Sequence, residues 1–521
     1  MHQVIKTCFS RLLFICMLSS LIAIDIQADK HDALDRIVQV SKNKGTIYEL
    51  LKDLSEQSGY LFIYDSQIID NDKKVKITKG EYSLRDAIYL ITENNRLQID
   101  LSGTYILLRL AETQIQANTN DSIPIPAQDI HFTIKGVLFD QETKESIIFA
   151  SVSILSTSIG TITNQDGGFQ LVVPDSLQNH KVKFSHIGYE SQEIDLTLLK
   201  GETIDLGLKP QAITLQEVVV STVNPEQTLN DMLNNRAANY ASEPAYLTTF
   251  YREGIDHNYR NIDLTESVLQ IYKTGYNRNA ANDQVKLIKK RRILNRLETD
   301  TIFPKMRSGI KSCLILDVIK ELPEFTVPGK ETPYTYSYKG KTFVDNRPVN
   351  IISFQQKEHI QEPLYAGDLY IEAENKALVE VRFEINSRLA DKATHAFIDK
   401  KALGLKIDLQ QAQYIVSYKP SEDGQYYVNH VRGDLRFKIR RKKRLFSSPL
   451  HFWFEMATCD IKTKEVKSFP LNERLSTTRI FAETKHTYDK NFWKNFNIIL
   501  PENDLENSII HNLHEVLITE Q

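Results

Sequence analysis

Residues 160–190 read GTITNQDGGFQLVVPDSLQNHKVKFSHIGYE. Phe169, Leu171 and Val173 alternate with polar or small neighbours, and Val182 and Phe184 repeat the pattern after a polar break. A period of two marks strands with one buried face. Asn164-Gln165-Asp166-Gly167 lies between two such runs, and Asp-Gly supplies the positive φ that a tight hairpin needs. Upstream, Ala150, Val152 and Ile154 alternate in the same way. Phe132, Ile134, Val137 and Phe139 flank Gly136. Short strands at this spacing predict a β-sandwich over residues 131–210 with one core between its sheets. Asn164–Gly167 is not read as a calcium loop. Such a loop needs oxygens at alternating positions and a carboxylate near its end, and here Gly168-Phe169-Gln170 comes next. The special residues of the stretch therefore serve backbone geometry, with no chemistry of their own.

The whole chain has 521 residues, more than one core accommodates, so several domains are expected. Charged residues make up 25% and apolar ones 41%, as in ordinary globular proteins. Lys plus Arg number 64 against 67 Asp plus Glu. That balance gives no global field to draw nucleic acid, and none is expected as a partner. At the N-terminus Lys6 and Arg11 precede the apolar run Leu12–Ile24, and Ile26-Gln27-Ala28 offers small residues for cleavage. Residues 1–28 are read as a signal peptide, so the chain is exported. No later run is long and apolar enough for a spanning helix. Cleavage would leave Cys313 and Cys459, read as two buried free thiols because both sit in apolar, strand-like surroundings.

Between residues 29 and 110 two capped helices alternate with short strands. Ile47, Leu50, Leu51 and Leu54 fall at i, i+3, i+4 and i+7, after the capping box Thr46-x-x-Glu49 and before Gly59. Leu84, Ala87, Ile88 and Ile91 repeat that spacing behind Ser83-x-x-Asp86. Leu50-Leu-x-x-Leu54, Tyr60-x-Phe-x-Tyr64 and Ser83-Leu-x-x-Ala-Ile88 together resemble the secretin/TonB short N-terminal (STN) domain. That resemblance implies a periplasmic module that contacts signalling partners or neighbouring subunits. Residues 111–130, polar and with two prolines, read as a linker.

The sandwich resembles the carboxypeptidase-type regulatory-like domain, a transthyretin-like module found before many TonB-dependent receptors. The matching residues are Gly136-x-Val-x-x-Asp140, Ala150-Ser-Val152, Gly160-Thr-x-Thr-Asn-x-Asp-Gly167, Phe169 and Phe184-Ser-x-Ile-Gly-Tyr189. The usual proline before Ala150 is replaced by Ile147-Ile148-Phe149. The family module has no peptidase activity. Leu215–Val220 resembles the segment that joins the module to a receptor plug, but the residues after Val220 do not read as a plug.

Residues 225–521 begin with a helix, Pro225–Ala238, and then read as long strands to about Lys467. They include Tyr246–Tyr251, Phe343–Phe354, Leu378–Ile385 and Tyr427–Ile439. The unit Gly367-x-Leu-Tyr-Ile-x-x-x-Asn375-x-Ala-Leu378 resembles the repeat of lipoprotein-carrier (LolA-like) half-barrels. An outer-membrane barrel is not expected: about 300 residues are too few for plug and barrel, and the outward positions are charged. The fold class is thus multi-domain and β-rich: a small α+β module, a β-sandwich, then a large, mostly antiparallel β domain with flanking helices.

No Gly-x-Ser-x-Gly elbow, Walker loop, His-Glu-x-x-His or Cys-x-x-Cys occurs. No catalytic, cofactor-binding or metal-ligating residues are assigned. Glu358, His359 and Glu362 read as a surface group. His511 and His514 fall on the polar side of a last helix, about 503–518, with no third ligand nearby. Two runs are basic. Residues 286–292 (KLIKKRR) read as a charged strand edge. In the other, Leu435, Phe437 and Ile439 alternate with Arg436, Lys438 and Arg440, so Lys438, Arg440, Arg441, Lys442, Lys443 and Arg444 are candidates for contact with an anionic surface, lipid or lipopolysaccharide.

The functional expectation is a non-enzymatic envelope protein of the periplasm or the periplasmic face of the outer membrane. It would bind a TonB- or anti-sigma-type partner or an outer-membrane component, and it is related to the front end of TonB-dependent receptors. A lipid or lipoprotein carrier and a hydrolase with a scattered active site are the alternatives.

Overall fold

The computed structural model describes residues 34–502 apart from 65–68, 70–72, 103–104, 111–130, 201–202, 212–222, 295–304, 308, 401–403, 442–445 and 485–495. The signal peptide, the linker, the 215–220 segment, residues 442–444 and the last helix with His511 and His514 lie outside the described residues. The chain divides into two compact units, residues 1–125 and 126–521.

The first unit contains β1 (Ile37–Val40), β2 (Lys44–Thr46), α1 (Ile47–Ser58), β3 (Leu61–Tyr64), β4 (Lys74–Lys76), β5 (Gly80–Ser83), α2 (Leu84–Thr92), β6 (Leu97–Ser102) and β7 (Tyr105–Leu110). The Thr46 hydroxyl accepts from Glu49 N and the Glu49 carboxylate accepts from Thr46 N, closing the expected capping box. Gly59 ends α1 in the left-handed region at φ 76°. Ser83 caps α2 through Asp86 N. The stripe Ile47, Leu50, Leu51, Leu54 meets Leu84, Ala87, Ile88 and Ile91 in one core. Each fully buried Leu or Ile contributes about 2 kcal/mol. The sheet order β3-β7-β6 pairs β7 parallel to β3 and antiparallel to β6.

The second unit opens with the sandwich. One sheet runs β10 (Gly160–Ile162), β9 (Ser151–Ile154), β12 (Lys181–Ser185), β13 (Gln192–Asp195). The other runs β11 (Gly168–Pro174), β8 (His131–Asp140), β14 (Thr203–Leu208). Phe169, Leu171, Val173, Val182 and Phe184 meet Ile134, Val152 and Ile154 in the core between them. The Asn164–Gly168 turn is not a hairpin: β10 and β11 belong to opposite sheets, so the turn carries the chain across the sandwich. Asn164 Oδ1 accepts from Asp166 N and Gly168 N and fixes the corner. Gly167 takes φ 76°, and a Cβ there would lie 2.4 Å from Leu138 O. Tyr189 donates to Asp140, whose other oxygen accepts from the amides of Glu142 and Thr143. The Gly136–Asp140 and Ile187–Tyr189 motifs are thus joined in one structural knot.

Two helices come next, α3 (Pro225–Asn234) and α4 (Arg236–Asn239), and then a ten-stranded antiparallel sheet. Its strands are β15 (Ala245–His257), β16 (Arg260–Lys273), β17 (Gln284–Leu294), β19 (Tyr334–Val344), β20 (Arg347–Gln356), β21 (Tyr365–Glu372), β22 (Leu378–Ile385), β24 (Leu405–Pro420), β25 (Tyr426–Arg441) and β26 (Ser448–Lys462). The order is β17-β16-β15-β26-β25-β24-β22-β21-β20-β19. The short pair β18 (Lys305–Met306) and β23 (Ile398–Lys400) stands apart from it. The expected single strand Phe343–Phe354 is two strands. Asp345 and Asn346 both take positive φ, 50° and 62°, and make a two-residue turn that short side chains tolerate. On the apolar face, α5 (Gly309–Ile315), α6 (Val318–Glu321) and Phe325 pack on the sheet. Phe325 stacks on Phe354 at 4.4 Å and meets Tyr334, Tyr365 and Phe383. The fold is β-rich and multi-domain, as its strand patterns predict. No helix among the described residues is long and apolar enough to cross a membrane.

Candidate functional site

The opposite face of the sheet carries charge, and its register brings that charge into one row. Arg252 on β15 stands opposite Glu455 on β26, and Glu455 opposite Arg432 on β25. On the other side Arg252 faces Glu266 on β16, and Glu266 faces Arg291 on β17. Arg252 and Glu455 are both fully buried. Arg252 Nε donates to Glu455 Oε1 at 2.9 Å, and Arg432 Nη1 donates to Oε2 at 3.1 Å. Arg252 also donates to Leu500 O, and its guanidinium lies 3.3 Å from the Glu502 carboxylate. Arg291 pairs with Glu266.

One step along the strands, Arg432 grips Asp434 with both Nε and Nη2. His451 bridges Asp434 and Asp256 at 3.0 Å each. The Trp453 indole N–H donates to Asp256. Its ring lies beneath the guanidinium groups of Arg252 and Arg432, 5.3 and 5.4 Å from the ring centre. Gly254 makes room for it: a Cβ there would lie 2.5 Å from the indole.

These contacts set the electrostatics. Burial alone would raise the Glu455 carboxyl and lower the two arginines. The paired charges win, so Glu455 stays ionised far below the usual carboxylate range and both guanidinium groups stay charged. Burial likewise opposes ionised Asp434, but the bonds from His451 and Arg432 hold it at about 2. His451 is raised: its two carboxylate partners outweigh burial.

The row is roofed by the sandwich and by residues 497–502. Phe149 takes φ 57°, a left-handed backbone that a bulky residue seldom adopts. Its ring lies 4.8 Å from His430 and under the Arg432 guanidinium. The Gln165 side-chain amide faces that same guanidinium. Around this centre Thr161 donates to Ile498 O, Asn164 to Pro501 O, and Ser158 to Asp460 and Ile461 O. Phe149, Ile162, Phe250, Ala457, Cys459, Ile498 and Ile499 form an apolar cluster beside the charges. At the rim Gly188 N donates to Phe343 O and Lys183 pairs with Asp345. The opening stretch of the sequence therefore does more than turn: its Thr161–Gln165 segment, with Ser158 just before it, docks the sandwich on the sheet.

Chemically this is a network of charges that neutralise one another around the buried ring of His430, 3.8 Å from Glu455. Each carboxylate in it is held by at least one cation or hydrogen-bond donor, and each guanidinium lies against a carboxylate. A groove of about 430 Å³ continues along the same face beside Asp434, where Asp368, Arg382, Glu384 and Gln413 line it together with Phe383, Tyr414 and Ile415. There Lys339 pairs with Asp368, and Gln413 donates to Glu384.

The sequence-derived candidates lie elsewhere. Lys438, Arg440 and Arg441 are exposed at the end of β25, while Leu435, Phe437 and Ile439 are buried between them. The 286–292 run is on the edge strand β17, as expected, but its charges are paired and partly covered. Lys286 pairs with Glu473, Arg292 with Asp263, and Lys290 is buried with its ammonium on Ala482 O and Thr484 O. Burial pushes Lys290 down to about 8. Cys313 and Cys459 are free, buried thiols in two separate clusters. Among the described residues no group of three or more His, Cys, Asp or Glu is placed to hold a metal ion.

The TonB-dependent receptor SusC of Bacteroides thetaiotaomicron is 38% identical over 99 residues, 19% of this chain and 9% of the receptor. The chain thus spans less than a tenth of that relative. A solved domain from Vibrio parahaemolyticus, described as belonging to outer membrane lipoprotein sorting, covers 48% of this chain and 96% of its own, at 10% identity and TM-score 0.21. A DUF1329 family protein from Desulfovibrio piger covers 47% of this chain and 96% of its own, at 10% identity and TM-score 0.19. Likenesses at that level carry no argument. The family model that does match covers the sandwich: residues 134–220 are a CarboxypepD_reg-like domain.

Proposed function

We propose that this chain is an exported, non-enzymatic envelope protein that binds a partner at the periplasmic face of the outer membrane. Its STN-like residues 29–110 offer the docking surface, and its second unit is the rigid platform. The partner is a TonB- or anti-sigma-type protein or an outer-membrane component. The relation to a TonB-dependent receptor supports the setting. The observation that carries the binding reading is the buried, mutually paired Arg252–Glu455–Arg432 row. The carboxylates and guanidinium groups of the row are engaged with one another, and the sandwich covers them through Phe149 and Gln165 on Arg432. A hydrolase would need such groups aimed at a substrate. The carrier reading meets a steric obstacle, because α5, α6 and Phe325 occupy the apolar face that an acyl chain would need.

The test is crosslinking in intact envelopes with the full chain and with a chain lacking residues 29–110. The proposal expects one of the named partner classes to be captured by the full chain and lost on deletion. Capture that is indifferent to the deletion, or turnover of an ester, peptide or glycoside by the purified chain, would overturn it.

A further inference from the structure

We propose that one end of the ten-stranded sheet is a docking edge for an anionic phospholipid surface; this rests on the envelope setting above and names a second contact of the same protein. The β15–β16 turn and the residues just before β26 meet at that end. Tyr259, 93% exposed, tops the β15–β16 hairpin, and Phe446, 87% exposed, lies in the β25–β26 connection. The strands place them side by side. His257 is in register with Leu450, Asn258 N donates to Pro449 O, and His257 Nε2 meets Ser448 Oγ at 3.0 Å. Elsewhere in the unit most large aromatics are buried or half-buried, so two nearly bare rings at one edge call for a partner that desolvates them.

The strands below the rings supply the complementary charge. Arg436, Lys438 and Arg440 alternate on one face of β25, and Lys406 on β24 is in register with Arg440. With Arg441 they make five exposed cations. Among the described residues of this cluster they face one carboxylate, Asp408, which is 3.2 Å from Lys406. Aromatic rings at the end with long cationic stems behind them match the headgroup region of a bilayer. The rings sit at the boundary and the cations meet phosphate. Two nearly bare rings, rather than rings lining a concave groove, favour a membrane over an acidic protein.

The test is co-sedimentation of the full mature chain with vesicles of phosphatidylcholine alone and with phosphatidylglycerol added. Binding is expected only with the anionic lipid, falling as salt rises. Arg440→Glu with Arg441→Glu should weaken it about ten-fold or more. Tyr259→Ser with Phe446→Ser should weaken it while keeping the salt dependence, and inorganic phosphate should not compete. All four positions are exposed, so unchanged melting verifies folding. No preference for anionic vesicles, or binding unmoved by both pairs of substitutions, overturns the edge. So does a charge-reversed chain that binds vesicles normally but loses its protein partner, because the edge is then a protein contact. Partner capture through residues 29–110, read on the same variants, separates failure of the edge from failure of the envelope reading.

Discussion

Removing the Glu455 charge leaves Arg252 and Arg432 buried without their shared counter-ion. Breaking a buried pair on one side costs about 3–5 kcal/mol, because the surviving charge has no solvent. Glu455→Gln should lower unfolding free energy by about that much in denaturant titration, even though its shape is unchanged. A second acid behaves in the opposite sense. Glu253 is buried on the apolar face beside Tyr251, and burial raises its carboxyl to about 7, with the Tyr251 hydrogen bond opposing. The folded state keeps that proton while the unfolded chain releases it near 4.5. Its contribution is therefore full below about pH 4.5 and lost as pH rises through about 7. Glu253→Gln should match the parent at low pH and become more stable than it by up to about 3 kcal/mol near pH 7. Equal pH profiles for the two chains would contradict the assignment.

Among the elements, β15 and β26 are bound by a side chain lying across a glycine. Gly254→Ala puts a methyl 2.5 Å from the Trp453 indole and must displace it from beneath Arg252 and Arg432. Overpacking of that kind costs about 1–3 kcal/mol, read as a lower denaturation midpoint with an unchanged slope. This scale also shows what the sequence could reveal. The helix caps at Thr46, Gly59 and Ser83 and the alternation of Phe169–Val173 rest on neighbours within a few positions, so they were legible. The wet and dry faces of β25 were legible for the same reason. What covers the wet face was not, because Phe149, Gln165 and residues 497–502 reach it from far along the chain. Asp345-Asn346 was missed as a turn since no glycine marks it. The edge position of the basic run 286–292 was legible, but its cover was not, because Glu473, Ala482 and Thr484 arrive from almost two hundred residues away. The left-handed Phe149, standing where related modules place proline, was the one local hint of a docking site.

For the molecule as a whole, the central claim is that sandwich and sheet are one body, locked over a buried charge row. A module that merely precedes another would open on its own, and its amides would exchange with their own free energy. A locked pair opens together. The decisive measurement is native-state hydrogen exchange on the full chain and on Glu455→Gln. It reads the sandwich amides of Phe169 and Leu171 against the sheet amides of Phe250 and Ala457. The lock predicts that the substitution lowers protection in both sets by the same amount, although Glu455 lies in the sheet alone. Loss of protection confined to the sheet, with the sandwich amides unmoved, would contradict it.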